Sequence, residues 1–293
     1  MKQEIAAVVV LYNPNWILLK EVINQSSLQC DKVFVIDNSE TDNSIVFDKN
    51  FKDLSNVKYC ALLKNIGIAG AQNIGLELVR KTKSEYVIFF DQDSVPTDKM
   101  VKTLVNDFMH LRSNNVKVGT IGPLPVNSQT NEFYKPRVFK NKTLLVGGLE
   151  FFSLKQIISS GGLMYVADFD KIGDFEEGLF IDGVDHEWCW RAQKNGYSIF
   201  LSPRSRLIHN LGEGDKKLIG VKIAITSSFR LYYQYRNFIV LFFRGYVPFY
   251  WKLNNLIKYL VKMFYYPVLR KDINVLKRIF IGIGDGFKMV FIK

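Results

Sequence analysis

The segment Tyr86-Val-Ile-Phe-Phe-Asp-Gln-Asp93 constrains the fold more than any other part of the chain. Five consecutive apolar, β-favouring residues specify a strand buried on both faces, of the kind found in parallel α/β sheets. Such a strand places the residues after it at the carboxyl edge of the sheet, where open α/β sheets bind ligands. Here those residues are Asp91 and Asp93, one residue apart. Two acids so placed repel each other unless a cation or a hydrogen-bond donor holds them. A hard divalent ion, Mg2+ or Mn2+, bound by one or two carboxylates and by substrate phosphates, suits the pair. The alternative is a strand-end Asp that caps the next helix, with Asp93 solvated.

The first half of the chain alternates strand and helix signals. Ile5–Leu11 is a β-branched run and Trp16–Asn24 has helical spacing. Val33–Ile36 is a second strand ending at Asp37-Asn38-Ser39, Val57–Leu62 a third, and Ile68–Lys81 a helix leading to Tyr86. This rhythm predicts a doubly wound sheet with right-handed crossovers. Residues from about Asn127 to Gly148 read as a loop-rich excursion. Leu163–Val166 is a short apolar stretch, and Asp185–Asn195 is helical with Gly196 as its C-cap. Ser198–Leu201 and Arg206–His209 read as two further strands. Leu253, Leu256, Ile257, Leu260 and Phe264 then follow amphipathic-helix spacing, with Lys252, Lys258 and Lys262 off the stripe. Pro267 is expected to end that helix, and Gly282, Gly284 and Gly286 to break the apolar run Phe280–Phe291.

Charge divides the chain more sharply than length does. The net charge is +11, yet Lys216–Lys293 holds 15 Lys and Arg against Asp272 and Asp285, hence +13. Met1–Asp215 carries 24 bases and 26 acids, hence −2. The asymmetry points to an anionic partner for the C-terminal part. Basic residues interleaved with aromatics raise nucleic acid as that partner. Acids at the strand edge would repel a phosphate backbone, so no nucleic acid is expected. Three scattered cysteines make neither a disulfide frame nor a zinc site, and imply a reduced, cytosolic environment. There is no signal-peptide pattern and no apolar run near the roughly 18 residues that span a bilayer. The expectation is a soluble or peripheral protein.

Several segments carry candidate chemistry. Lys64–Gly75 packs small residues where a loop enters a helix, which lets backbone N–H groups approach an anionic ligand. It matches neither the dinucleotide fingerprint nor the P-loop, and tight helix-on-sheet packing is the alternative. Asp37 can accept hydrogen bonds from a base or ribose, or close an Asx-turn with Asn38 and Ser39 behind it. Asp182, Asp185 and Glu187 are three acids within six residues, beside Trp188 and Trp190. Near a helix start, Asp185 would stay ionised and could serve as a general base. Alternatively it only caps, while Glu187 pairs with Arg191 four residues on. His209, one of three histidines, is a candidate metal or phosphate ligand at a strand exit, or a surface residue. In the stretch Arg230, Tyr232, Tyr233, Tyr235, Arg236 and Asn237, Arg236 could hold a diphosphate and the tyrosines stack on sugars or lipid headgroups. The alternative is a partly buried helix with its polar tips in water.

Together these segments resemble inverting family 2 glycosyltransferases of the GT-A fold, an α/β architecture with a Rossmann-like, mostly parallel sheet flanked by helices. More narrowly they resemble bacterial rhamnosyltransferases that build O-antigen or capsular polysaccharide. Val9-Val10-Leu11-Tyr12-Asn13 resembles the opening strand and nucleotide-side loop, and Asp37 the residue that meets the pyrimidine base. Asn65, Gly67, Ala69, Asn73 and Gly75 match the family's Asn-x-Gly-x-Ala-x-x-x-Asn-x-Gly segment. Asp91-Gln92-Asp93 matches its Asp-x-Asp metal and diphosphate motif. Ser160-Gly161-Gly162 resembles the acceptor-side segment. Asp185–Arg191 aligns with the stretch that carries the base, which implies Asp185 as catalytic, with Glu187 and Trp188 on the acceptor side. Val184 stands where the family has Glu, a departure that leaves Asp182 as a rival base or an acceptor contact. His209 falls where many members carry a metal-side histidine, and Tyr232–Asn237, with Arg236 on the donor, suggests the rhamnosyltransferase branch. The likeness covers about Ile5 to Asn237.

The resemblance implies a divalent cation, Mg2+ or Mn2+, a nucleotide-sugar donor, and a lipid-linked or polysaccharide glycan acceptor. dTDP-rhamnose is the first donor expected and a UDP-hexose the alternative. It implies a catalytic unit over residues 1–215, a helical region over 216–293 that associates with an anionic membrane surface, and a site on the cytoplasmic face of the plasma membrane. Homo-oligomerisation is left open. A non-catalytic sugar-nucleotide-binding module or a nucleotidyltransferase would use the same acidic pair, and transfer from a labelled nucleotide sugar separates these readings.

Overall fold

The computed structural model describes residues 3–127, 143–209, 215–218, 221–224, 227–270 and 274–292; for 127, 209, 215–218, 221–224 and 268–270 the description is of the backbone. Four parallel strands form its first half: β1 (Ile5–Leu11), β2 (Lys32–Asp37), β3 (Val57–Ala61) and β4 (Tyr86–Asp91). Helices α1 (Trp16–Gln29), α2 (Ser44–Phe51) and α3 (Gly67–Arg80) connect them. Their spatial order is β3-β2-β1-β4, so the chain moves outward from β1 and then returns to its other side. The β1/β4 boundary is therefore a topological switch point, with a crevice at the carboxyl ends of both strands.

The second half extends the sheet. Short β5 (Ser94–Pro96), α4 (Met100–Ser113) and β6 (Val118–Asn127) precede the hairpin β7 (Thr143–Val146) and β8 (Leu149–Leu154). Then come β9 (Leu163–Tyr165), the single turn α5 (Phe169–Ile172), α6 (Val184–Lys194) and β10 (Ser198–His209). From β4 the order runs β9-β6-β10-β8-β7. β9 is antiparallel to β4 and β6, whereas β6 and β10 are parallel.

β4 behaves as its sequence requires. Tyr86, Ile88 and Phe90 point into a core layer shared with α1 and α4, and Val87 and Phe89 into a layer shared with α3 and α6. All five are buried. Elsewhere the sequence expectations need correction. Ser198–His209 is one strand rather than two, because a register shift between Ser202 and Arg206 absorbs Pro203. Part of the expected excursion is the β7–β8 hairpin, turned by Gly147 and Gly148 at positive φ, while residues 128–142 lie outside the described residues. Helices α2 and α4 and strand β6 have no counterpart among the expectations. In β6 two glycines and two prolines interrupt the strand signal.

The C-terminal part comprises a backbone hairpin, β11 (Asp215–Leu218) and β12 (Val221–Ala224), then α7 (Ser228–Phe242), α8 (Phe249–Arg270) and α9 (Asn274–Phe291). A boundary after residue 215 falls inside β11. α7 also contributes Val240 and Leu241 to the core layer that holds α3 and α6. Pro267 lies inside α8 rather than ending it, since losing one hydrogen bond in the last turn is tolerable. The glycines of α9 are likewise not breaks. A Cβ at Gly282 would sit 2.5 Å from the Tyr232 carbonyl oxygen, and one at Gly286 2.7 Å from that of Arg236. They let α9 lie directly on the backbone of α7. The stripe Leu253, Leu256, Ile257, Leu260 and Phe264 remains exposed, Phe264 by 74%. Among the described residues no helix is long and apolar enough to cross a membrane.

The close approach of α9 and α7 yields a paired test. Gly282→Ala is expected to destabilise the protein by about 1–3 kcal/mol in denaturant unfolding, because its methyl meets backbone that cannot yield. Gly284 faces open space, so Gly284→Ala should instead stabilise by about 0.5–1 kcal/mol through lower chain entropy.

Candidate active site

The switch point brings two loop starts side by side, since Val10 and Asp91 are register partners. Gln92 brackets the backbone of Tyr12: its Oε1 accepts from Tyr12 N at 2.8 Å and its Nε2 donates to Tyr12 O at 3.2 Å. Asn13, at φ 46°, donates its N–H to Ser39 Oγ at 2.8 Å. Asp37, buried at the end of β2, accepts from Ser39 N (2.9 Å), Asn43 Nδ2 (2.8 Å) and Tyr59 Oη (2.7 Å). The Asx-turn is thus present, and three of the roughly four acceptor positions of Asp37 are filled from within the fold. Asn38 Oδ1 accepts from Ile66 N at 2.8 Å, and its Nδ2 donates to Asn65 Oδ1 at 3.0 Å. Amide side chains therefore join the ends of β1 and β2 and the start of α3 into one rim.

A single turn connects the acids. Residues Ser159–Gly162 hang on β4 through Gly161 N to Phe89 O at 2.7 Å. Ser160 Oγ accepts from Asp91 N at 3.1 Å, and Ser159 N donates to Asp185 Oδ2 at 3.3 Å. Gln72 Nε2 steadies Ser159 Oγ at 3.0 Å. Asp185 occupies the first turn of α6, whose N-cap is Gly183 at φ 91°. The Asp91 carboxyl is pushed up to about 7, first by burial and then by the charges of Asp93 and Asp185, with Arg230 opposing.

The loop before α6 is held from two sides. Gly67, at φ 81°, has no room for a Cβ, which would lie 2.5 Å from Phe180 O. Ile68 N donates to that same oxygen at 2.8 Å. Asn73 exchanges hydrogen bonds with both backbone groups of Phe175 at 3.0 Å and donates to Glu177 Oε1 at 2.9 Å. From α7, Asn237 Nδ2 donates to the carbonyls of Leu179, Ile181 and Asp182 at 2.7–2.9 Å. Arg236 Nη2 adds Gly178 O (2.6 Å) and Leu179 O (2.9 Å).

A switch-point crevice rimmed by amides and ending in Asp91 and Asp93 matches a known pattern. The family model described as Glycosyl transferase family 2 matches residues 7–167. The dTDP-rhamnosyl transferase RfbF of Shigella flexneri is 33% identical over 253 residues, 85% of this chain and 83% of that protein. The chain belongs to glycosyl transferase family 2. Among solved structures, S. aureus TarS 1-349 in complex with UDP-GlcNAc superposes with a TM-score of 0.59 at 16% identity, covering 98% of this chain and 82% of that one. GalNAc-T7 with UDP, GalNAc and Mn2+ gives 0.57 at 17% identity, covering 83% and 49%. The fold is thus the GT-A arrangement, and this family 2 member is a glycosyltransferase.

Some expected site residues of the transferase lie elsewhere. Glu187 is fully buried and accepts from Arg191 Nε and Nη2 (both 2.9 Å), Tyr246 Oη (2.6 Å) and Arg244 Nη1 (3.3 Å). Trp188 is buried too, with its Nε1 donating to Gly173 O at 2.9 Å. Two and three residues beyond Asp185, they fall on the core side of α6, so neither lines an acceptor surface. Asp182 is clamped by Arg230, Nε at 2.9–3.0 Å and Nη2 at 2.8 Å. Arg236 and Asn73, expected on the donor, instead hydrogen-bond the loop that leads to α6, and Ala69 is buried. The amides of Ile66, Gly67 and Ile68 are already engaged by Asn38, Asn65 and Phe180, so they do not offer an anion site. Ser160 through Gly162 stand at the crevice, as do Tyr12, Asn13, Gln92 and the acid pair. Arg230 is the cation whose field reaches Asp182, Asp185 and Asp91; its only sequence signal is that it opens the aromatic-cationic stretch.

Asp91 and Asp93 suit a hard cation: two oxygen donors at a strand end, one with its ionised form disfavoured by the other. Among the described residues no group of three or more His, Cys, Asp or Glu could hold a metal, so phosphate oxygens would complete the shell. The backbone of His209 pairs with Ser94, next to Asp93, but its side chain lies outside the described residues.

Metal-free protein offers a direct test of this crowding. A carboxyl raised in the fold contributes most to stability below its unfolded value near 4, and that contribution is lost as pH rises to about 7. In EDTA, Asp91→Asn is therefore expected to melt above wild type at pH 8, by several degrees. The advantage should shrink steadily toward pH 4 in thermal melts.

Proposed function

We propose that this glycosyltransferase moves L-rhamnose from dTDP-rhamnose, with inversion, to a hydroxyl of a lipid-linked or polysaccharide acceptor in cell-surface glycan synthesis. The observation that carries this reading is the Ser159–Ser160 turn, which ties Asp185 to Asp91 across the switch-point crevice. The kinship to RfbF supports the rhamnosyl donor. A UDP-hexose donor is the second reading, favoured by the fold shared with TarS bound to UDP-GlcNAc.

Tyr12, Asn13, Asp37 and Asn65 border the nucleotide, and the diphosphate lies toward Asp91 and Asp93. These two aspartates would hold Mg2+ or Mn2+, which when bound supplies Lewis-acid stabilisation to the departing diphosphate. Asp185 takes the proton of the acceptor hydroxyl as that oxygen attacks the anomeric carbon from the face opposite the leaving group. The bond to the acceptor oxygen forms as the bond to the phosphate oxygen breaks, so the configuration inverts. Arg230 pairs with Asp182, whereas Asp185, in the first turn of α6, accepts from the Ser159 N–H and has no cation against it among the described residues.

The reading extends to location. The exposed stripe of α8 and the +13 charge of residues 216–293 support reversible attachment to an anionic leaflet, on the cytoplasmic face of the plasma membrane. Each Lys or Arg near such a surface contributes about 1 kcal/mol, and buried apolar side chains add to it. Residues 1–215 supply most of the catalytic unit, with α7 completing it.

Asp185→Asn is expected to lower kcat by about 10²–10⁴-fold while dTDP-rhamnose still raises Tm as in wild type. Near-normal turnover in Asp185→Asn, together with an inactive Asp182→Asn, would reassign the base. Co-sedimentation with phosphatidylglycerol vesicles, but not with phosphatidylcholine vesicles, is expected at low salt. It should disappear near about 1 M salt; binding indifferent to lipid charge and salt would remove the membrane reading.

A further inference from the structure

A departing diphosphate gains negative charge in a crevice that is already acidic. Ionised Asp91 and Asp93 carry as much charge as any divalent ion they hold, and Asp185 adds another negative charge close by. The ion and its two carboxylates therefore sum to zero. Stabilising the leaving group needs a further donor or cation aimed where its charge develops. Among the described residues, Arg230 is the cation that opposes the acids around Asp91. Its field reaches Asp185 and Asp182 as well.

The fold holds Arg230 firmly. Ser227 Oγ, at the N-cap of α7, accepts from Arg230 N at 3.2 Å. Its neighbours on α7 pack on the loop before α6: Tyr233 stacks on Phe180 at 4.7 Å and Phe229 meets that ring edge-on at 6.1 Å. Asp182 then grips Nε and Nη2 at 2.8–3.0 Å, which sets the plane of the guanidinium. Asp182 is itself fixed, with φ at 65° and its carbonyl oxygen accepting from Asn237 Nδ2 at 2.9 Å. The grip leaves Nη1, with two N–H groups, without a hydrogen-bond partner among the described residues. The Arg230 side chain is half exposed, whereas that of Asp182 is mostly covered. An oriented, unspent donor edge thus stands beside the acids.

The geometry points to Arg230 as a catalytic residue that donates through Nη1 to the diphosphate of the nucleotide sugar, with Asp182 as the positioning residue that holds its plane. As the bond from the anomeric carbon breaks, its electron pair passes to the phosphate oxygen. The guanidinium binds that oxygen and keeps its own protons. Arg230 thereby takes the role that the sequence suggests for Arg236, whose Nη2 is engaged by the carbonyls of Gly178 and Leu179. The inference rests on the transfer reading and deepens it, whichever nucleotide the donor carries.

Titration calorimetry on the full chain with Mn2+ and either dTDP or thymidine gives the first test. Arg230→Gln is expected to bind dTDP about tenfold or more weakly. Thymidine, which has no phosphate, should bind as it does to wild type. The loss of dTDP affinity should persist in the double variant Asp182→Asn/Arg230→Gln. A guanidinium that merely neutralised Asp182 would let the double variant regain wild-type affinity. Turnover gives the second test. Release of dTDP from saturating dTDP-rhamnose, with water as acceptor, should fall about 10²–10³-fold in Arg230→Gln. The inference is overturned by unaltered dTDP affinity, by equal weakening of thymidine, by recovery in the double variant, or by unaltered dTDP release. If wild type prefers UDP, the same comparison runs with UDP, uridine and a UDP-hexose. Failure of the transfer reading looks different: wild type itself would bind neither nucleotide and release none from its sugar, and the inference would fall with it.

Discussion

Like charges held together against their mutual repulsion are the constraint on which the active site depends. Asp91 ends a strand fixed between two core layers, so it cannot drift from Asp93 or from Asp185. The Ser159–Ser160 turn grips one acid with each residue and hangs on β4 itself. Burial and neighbouring charge push the Asp91 carboxyl up to about 7. A flexible edge would relieve that tension by moving apart. A rigid one retains it as a standing preference for a positive charge beside the acids.

The loop that leads into α6 shows the same logic in hydrogen bonds. Phe180 and Asp182 both sit at positive φ, a conformation that costs of order 1–3 kcal/mol for residues with side chains. Asn237 and Arg236 offset it by capturing the loop's carbonyls, and Gly67 makes space for Phe180. α6 is anchored beneath by Glu187, whose buried charge meets Arg191, Arg244 and Tyr246. Removing one partner from such a network typically costs about 3–5 kcal/mol. Arg244 and Tyr246 come from the connection between α7 and α8, so the C-terminal helices are structurally inseparable from α6.

How much of the fold and site is legible in the sequence depends on how local each signal is. β4 is legible because an unbroken apolar run has one economical fate, and Asp91 and Asp93 inherit their place from it. The βα alternation is legible for the same reason. β6 is not, because its glycines and prolines are tolerated only by neighbours distant in sequence. Gly282 and Gly286 look like breaks until α7 is seen lying against them. Asp185, Glu187 and Trp188 share one motif, yet residue spacing alone does not reveal which side of α6 meets the core. Arg236 and Arg230 differ by a turn and a half of α7, and only the folded loop decides which grips carbonyls and which meets carboxylates.

The most direct measurement is a crystal structure of the full chain with dTDP and Mn2+. The expected result is a metal ligated by Asp91 or Asp93 and by diphosphate oxygens, with the thymine toward Asp37 and Asp185 across the crevice. A diphosphate bound away from residues 91 and 93 would contradict the role assigned to the crowded acids.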